Sequence, residues 1–453
     1  MRSSPVSLLM VLTPLLVGLT LAVGGCKELT GSPGLPAGTP NPSVYNNATG
    51  AVGMYTAAVA QVDQALFKYI IDTGLLTDEL EDQFTGASAG MLLQSSGVSD
   101  PLDERILPPS VTVASYGQLQ AIRTFANQAI GALAAYDTAA ADTATSRVYR
   151  GELYALDGYA DIMLADLFCS GVPLSTLDFQ KDFTVAPSST TTQVYQAAIA
   201  KFDTALSLAS ASDSVVNLAR VGQGRAYLDL GQYAMAADDV KTVPTAFRYD
   251  YEVQWLSSIF VGQLSFKLSN REGLNGLPFR SNGDPRTATT VMCVPNITRS
   301  NCSDTLFFPT KYSAALSSGA GVAPVTLASG YEARLIEAEA ELNANPNDGM
   351  WLATLNALRT ANGIPTSISD PVDPAVRVDT LFTERAYWLY LTGHRQGDLR
   401  RLIRNYGRRQ DQVYPTGPYL APGTGQYGAD VVAPIPPAEA ANPLFHGCLS
   451  NDA

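Results

Sequence analysis

From Tyr45 onward apolar residues recur three and four positions apart in Ala-rich stretches, and short clusters of Pro, Gly, Asn or Asp separate one stretch from the next. That period predicts helices at about 47–73, 114–137, 143–168, 191–209, 214–230, 233–242, 327–344, 348–362 and 377–405. Period-two alternation is sparse, so the expected class is all-α. Two stretches, about 79–113 and 244–326, carry neither period and are expected to be irregular. Irregular stretches of that length in a compact domain are more often functional or partner-facing than structural.

One segment has repeat character. Between Asn217 and Ala237 the small residues Gly224 and Ala236 and the aromatics Tyr227 and Tyr233 fall where the two helices of a tetratricopeptide pair meet. Pro244 ends that pair, because proline cannot continue a helix. A second pair, Tyr331 to Leu342 and Met350 to Leu358, turns at Asn343 to Gly349. Such pairs stack into a superhelix with a concave face suited to binding. For any single tyrosine here, plain helix packing is the simpler reading.

The N-terminus follows another pattern. Met1-Arg2 is positive, Val6 to Val23 is almost wholly apolar, and the small pair Gly24-Gly25 precedes Cys26, as in a cleavable export signal. The run is about 18 residues long and is interrupted by Pro14 and Gly18, at the lower limit for a spanning helix. Val23-Gly24-Gly25-Cys26 resembles a bacterial lipobox, which makes residues 1–25 a signal peptide and Cys26 the lipidation site. A diacylglyceryl group plus an amide-linked chain supplies the two anchors that durable attachment needs. Residues 26–43, rich in Pro and Gly, then read as a tether to a single domain over 44–453.

With 46% hydrophobic and 16% charged residues the body is globular. A net charge of −13 argues against a nucleic-acid partner, which requires clustered cations. The arginines between Arg385 and Arg409 are the exception, and acid-paired helix faces explain them better than an anion-binding strip. Apart from Cys26 the chain has four cysteines, for which three pairings exist. Cys293 and Cys302, in a loop-like stretch with Pro295, Asn296 and Asn301, are paired first, which leaves Cys169 with Cys448 by elimination. Metal ligation is the competing reading of these cysteines, but their spacings are not of the CxxC type and only His394 and His446 offer imidazole. Neither a metal nor a cofactor is expected.

Four C-terminal blocks carry a family resemblance: Gly330 to Ala340; Leu355 to Arg359 with Gly363; Glu384-Arg385 with Gly393 to Arg400; and Pro434 to Pro436 with Glu439 and Asn442-Pro443. Thr77-Asp78-Glu79, Ala126-Asn127-Gln128 and Gly171 to Leu174 support them more weakly. In this order they resemble the SusD/RagB-like outer-membrane lipoproteins, over nearly the whole chain. The resemblance implies a tetratricopeptide-like helical fold with long ligand-facing loops, and a binding role without catalysis. It also implies a TonB-dependent, SusC-like transporter as partner and a nutrient ligand, a glycan oligosaccharide or a peptide. The implied location is the outer membrane, facing the exterior, although Lys27-Glu28-Leu29 after Cys26 forms only a partial acidic export tract.

The irregular stretches then supply the ligand candidates: Asp78, Glu79 and Phe84, beside Glu81 and Asp82, from the first, and Tyr249, Tyr251 and Trp255 from the second. Rings stack on the apolar faces of sugars, while carboxylates bind hydroxyl or backbone groups. The competing reading is that the carboxylates flank a helix end and the rings pack inward. The small, apolar run from Gly86 to Met91 favours a peptide or a smaller ligand over a large glycan. Glu384, Arg385, Arg395, Asp398 and Arg401, on or beside one long helix, are read as structural ion pairs, His394 as a packing residue and Trp388 as core. Two other functions fit parts of the chain, an envelope-assembly scaffold built on the repeats and an all-helical glycosidase or lyase with two carboxylates. The second lacks a nucleophile elbow, a zinc motif or a phosphate loop, and the chain is not expected to be an enzyme.

Overall fold

The computed structural model describes residues 46–82, 109–136, 143–179, 182–254, 266–296, 299–313, 322–417 and 427–453. The signal peptide, Cys26, the tether, Phe84 and Trp255 lie outside the described residues, as do the side chains of Cys293 and Cys302. The described part of the first half is mainly a run of helices that pack in sequence: α1 (Ala48–Leu76), α2 (Pro109–Tyr136), α3 (Thr143–Leu167), α4 (Thr191–Leu208), α5 (Asp213–Asp229) and α6 (Tyr233–Val240). Their starts are set by side chains that accept the free N–H groups of a first turn. Asn47 accepts from Gly50, Thr190 and Gln193 form a reciprocal capping box, and Ser212 accepts from Val215. After a strand-rich stretch come α7 (Gly330–Ala344), α8 (Met350–Ala361), α9 (Pro374–Trp388), α10 (His394–Tyr406) and the short α11 (Gln410–Val413). Ser329 caps α7, and Asp373, followed by Pro374, caps α9.

The tetratricopeptide-like pairs form where expected, as α5–α6 and α7–α8, and α6 packs on α7. Gly224 is what lets α5 and α6 close. A Cβ there would lie 2.6 Å from Val240 Cγ1 and 3.3 Å from the Ala236 carbonyl. Gly224→Val should therefore destabilise the protein by roughly 1–3 kcal/mol in urea unfolding, the usual cost of overpacking. An unchanged midpoint would mean that the pair is loosely packed.

Two expectations are corrected. The helix predicted over 377–405 is two helices, α9 and α10, joined by a turn in which Leu391 and Gly393 take positive φ values of 51° and 84°. Gly393 also abuts Tyr69, with its hypothetical Cβ only 2.5 Å from the ring, so a larger residue would clash. The described part of the stretch 244–326 contains strands where irregular chain was expected. β6 (Arg248–Gln254) pairs antiparallel with β10 (Val322–Ser329), and β8 (Thr289–Asn296) forms a hairpin with β9 (Arg299–Pro309). The first irregular stretch likewise opens with β1 (Leu80–Asp82), which pairs with β7 (Phe266–Leu268). Short ladders β2 (Val172–Pro173) with β5 (Ser188–Ser189), and β3 (Thr176–Leu177) with β4 (Phe183–Thr184), follow α3. In β6 the alternation is real but brief: Tyr251 and Val253 are buried, and Asp250 and Glu252 are exposed.

Cys169 and Cys448 form a disulfide, with Cα atoms 5.7 Å apart. Around it Ser170 and the tail exchange backbone hydrogen bonds, Ser170 N–H to Ser450 C=O at 3.0 Å and Leu449 N–H to Ser170 C=O at 2.6 Å. The C-terminus is thus stapled to the helical body. Among the described residues no helix is long and apolar enough to cross a membrane.

Asp72, wholly buried in α1, stores a pH dependence. Burial pushes its carboxyl up to about 7 from an ordinary 3.8, and Ser115 and Lys68 offset this only in part. The folded state thus binds a proton that the unfolded state releases, so this group's contribution to stability falls as pH rises from about 4 to 7. Asp72→Asn should flatten that slope and stabilise the protein at pH 8 by roughly 2–4 kcal/mol. Melting temperatures from pH 5 to 8 test this, and parallel profiles for the two proteins would refute it.

Candidate functional site

The carboxylates that follow α1 turn inward. Asp78 is buried and accepts two hydrogen bonds from the Arg395 guanidinium at 2.7 and 2.9 Å and one from the Leu277 amide at 2.8 Å. Glu79, also buried, accepts the Leu391 amide at 2.8 Å, and desolvation pushes its carboxyl up to about 7. Both brace the α9–α10 turn, and neither is placed to grip an external ligand. On β6, Tyr251 is buried and Tyr249 half-buried, their rings 5.8 Å apart. Tyr249 donates to one oxygen of Glu152, and Tyr55 of α1 donates to the other at 2.8 Å. The ring faces pack against the helices because β6 lies across α1 with this register inward. The inward reading of these four residues replaces the ligand-facing one.

The C-terminal ion pairs are structural, as expected, and they join α9 and α10, expected as one helix, to each other and to neighbouring elements. Arg385 of α9 binds Asp398 of α10 at 2.8 and 2.9 Å. Arg401 binds Glu339 of α7 at 2.9 and 3.0 Å, Asp398 at 2.8 Å and Asp229 of α5 at 3.0 Å. Asp398 is held well below the usual carboxylate range because Arg385 and Arg401 outweigh its burial.

This frame shapes a cavity of about 320 Å³ between the β6–β10 ladder, the first turn of α7, the end of α9, and 3-10 turns at Pro285–Thr287 and Thr310–Tyr312. Trp388, expected in the core, is half-buried and lines it, with the Tyr331 ring 5.1 Å away. The Arg286 guanidinium lies 4.8 Å from the Trp388 ring and 5.4 Å from that of Tyr387. Arg286 is held by Asp284 at 2.6 and 2.8 Å and by Glu384 at 2.6 and 3.0 Å. Across the cavity Arg248 binds Asp250, and Lys311 donates to the Tyr390 carbonyl.

His394 sits at the floor. Its Nδ1 meets the Thr392 hydroxyl at 2.8 Å and its Nε2 lies 3.2 Å from Glu332. Burial and the nearby Arg225 push its pKa below the ordinary imidazole value, against the opposing pull of Glu332. Glu332 stays ionised: burial raises its pKa, but Arg225, bound at 2.7 and 2.9 Å, brings it down to about 2. Held by Thr392 and packed against Glu332, the buried histidine is a packing residue. The cavity therefore offers aromatic surface and fixed polar groups, the composition of a small-molecule binding site. Among the described residues no cluster of His, Cys, Asp and Glu has the arrangement of a metal site.

Sequence reasoning missed this cavity because its walls come from five separate segments. The local signal was that Tyr331 and His394 lie within the resemblance blocks and Trp388 close to one. A second, more open groove of about 870 Å³ runs between α6 and α7, past Tyr233, Met235, Lys241, Glu337 and Glu341.

No family model matches the chain, and no curated protein matches it in sequence. Solved structures do match. A SusD superfamily protein from Bacteroides thetaiotaomicron aligns with a TM-score of 0.65 at 14% identity, over 89% of this chain and 100% of that one. The chain has the SusD-like fold. A SusD-like carbohydrate binding protein from Bacteroides vulgatus aligns with a TM-score of 0.59 at 15% identity, over 88% of this chain and 98% of that one. Surface glycan-binding protein A from Bacteroides uniformis aligns with a TM-score of 0.60 at 14% identity, over 88% and 98%. In this SusD-like chain the helix pairs α5–α6 and α7–α8 form the scaffold, and the strand-rich insertion between α6 and α7 supplies much of the cavity wall.

Proposed function

We propose that this protein is a lipid-anchored SusD-like capture protein. It binds a glycan and passes it to a TonB-dependent, SusC-like transporter at the outer membrane, with no chemistry of its own. The observation that carries the reading is the SusD-like fold, found over nine-tenths of the chain in structures that include a carbohydrate binding protein and a surface glycan-binding protein. The cavity supports it. Trp388 and Tyr331 offer ring surface for the C–H face of a sugar, and the polar groups of Arg248, Lys311 and Thr326 line the same cavity for hydroxyls. The lipobox at Cys26 supports the anchor, and the nearly complete resemblance to the SusD/RagB-like lipoproteins supports the partner and an outward-facing location.

The test is to solubilise membranes containing the acylated full chain, purify it under mild conditions and identify what accompanies it. A β-barrel transporter in near-equal amount, with no turnover of added oligosaccharides, is the expected result. Glycan cleavage at enzymatic rates, or a chaperone complex in place of the barrel, would overturn the proposal.

A further inference from the structure

Among the described residues, the charged side chains that line the cavity are Arg248, Arg286, Lys311 and Glu332, three cations to one carboxylate. In a chain of net charge −13 this is a local excess of positive charge. Two of the four are neutralised from behind the wall. Arg286 gives four hydrogen bonds to Asp284 and Glu384, and Glu332 accepts two from Arg225 at 2.7 and 2.9 Å. The other two are cations with donors to spare. Lys311 reaches the cavity from the 3-10 turn at Thr310–Tyr312, and among the described residues its ammonium bonds only to the neutral Tyr390 carbonyl, which leaves two of its three protons uncommitted. Desolvation pushes Lys311 down to about 7 against the pull of Glu79, and the like charge of Arg248 adds to the fall, so its charged form lacks a sufficient counter-ion. Arg248 gives Nε and Nη2 to the exposed Asp250 at 3.1 Å and Nη2 also to Thr326, while its Nη1 bonds nothing among the described residues. A ligand carboxylate can therefore take up these free donors without breaking an existing pair. It also supplies the counter-charge that Lys311 lacks. The rings of Trp388 and Tyr331 line the same cavity, and its volume of about 320 Å³ suits one or two sugar rings.

We infer that this cavity prefers sugars that carry a carboxylate, as uronic acids of one or two rings or as chain ends of that kind, over their neutral counterparts, with Lys311 and Arg248 setting the preference. The inference rests on the capture reading and names the ligand class for that site.

Isothermal titration of the acylated full chain in detergent micelles at pH 6, where Lys311 is charged, tests this with neutral hexoses, their disaccharides and the matching uronic acids as probes. At least one uronate should bind about tenfold tighter than its neutral counterpart, the effect of one charge-assisted hydrogen bond. Lys311→Met should reduce that ratio by about threefold or more, and so should Arg248→Gln, at an exposed position whose change leaves the core intact. A neutral sugar that binds the unaltered protein as tightly as its uronate overturns the inference, and so does a ratio unchanged in both variants. If only neutral glycans bind, the acidic preference is overturned and the capture reading stands. If no carbohydrate of any length binds, the capture reading itself falls.

Discussion

Arg401→Ala should lower the unfolding free energy by roughly 3–5 kcal/mol, the cost of breaking a buried ion pair by removing one partner. Arg401 is almost fully buried and is the only cation that reaches α5, α7 and α10 together through the hydrogen bonds it gives to Asp229, Glu339 and Asp398 among the described residues. Its removal leaves three carboxylates facing one another in a site closed to water, with Arg385 alone to serve two of them. The sign follows from burial: each carboxylate has lost its hydration, and without Arg401 only Arg385, Arg404 at 3.5 Å from Asp229 and the Tyr406 hydroxyl at 3.2 Å from Glu339 remain among the described residues to replace it. Arg401→Lys should fall between the two, because an ammonium keeps the charge but cannot bridge two carboxylates in bidentate fashion. Urea unfolding of the three proteins gives the comparison. A loss under about 1 kcal/mol for the alanine variant would place the network among incidental surface pairs.

Trp388→Ala should weaken glycan binding by about 10- to 100-fold while leaving a folded protein. The ring is half-buried, stands 5.1 Å from Tyr331 and lies under the Arg286 guanidinium, so it is held in place before a ligand arrives. A preorganised ring contributes stacking surface without a large ordering cost, and for that reason its loss appears mainly in affinity. Tyr331→Phe is the paired control. It keeps the ring and loses only the hydrogen bond to Asn362 at 2.6 Å, so binding should change by a few-fold at most. Calorimetric titration reads both. Unaltered affinity in Trp388→Ala would move the ligand site elsewhere on the molecule.

The sequence carried the helical frame well, because its period of three and four is sustained over whole helices and is punctuated by Asn47, Ser212 and Pro374. It carried the strands poorly. In β6 only Tyr249, Tyr251 and Val253 alternate with polar neighbours, too short a run to outweigh the helical signals around it. The helix predicted over 377–405 ran straight through Gly393, because the Tyr69 ring that makes glycine necessary there comes from α1, more than 300 residues away in sequence. The ligand candidates failed for a related reason. Asp78 and Glu79 have the look of loop carboxylates, and their partners Arg395 and Leu391 become visible only when α1 and the α9–α10 turn meet. Long-range pairing decided which polar residues face inward. It also turned Trp388, read as core, into a cavity wall.

The most direct test of the account is a crystal of the protein soaked with an oligosaccharide that it binds in solution. Ordered sugar density over Trp388 and Tyr331, with hydroxyls within hydrogen-bond reach of Arg248, Lys311 or Thr326, is the predicted result. Sugar bound at another surface with this cavity empty, or a cleaved product in its place, would contradict it.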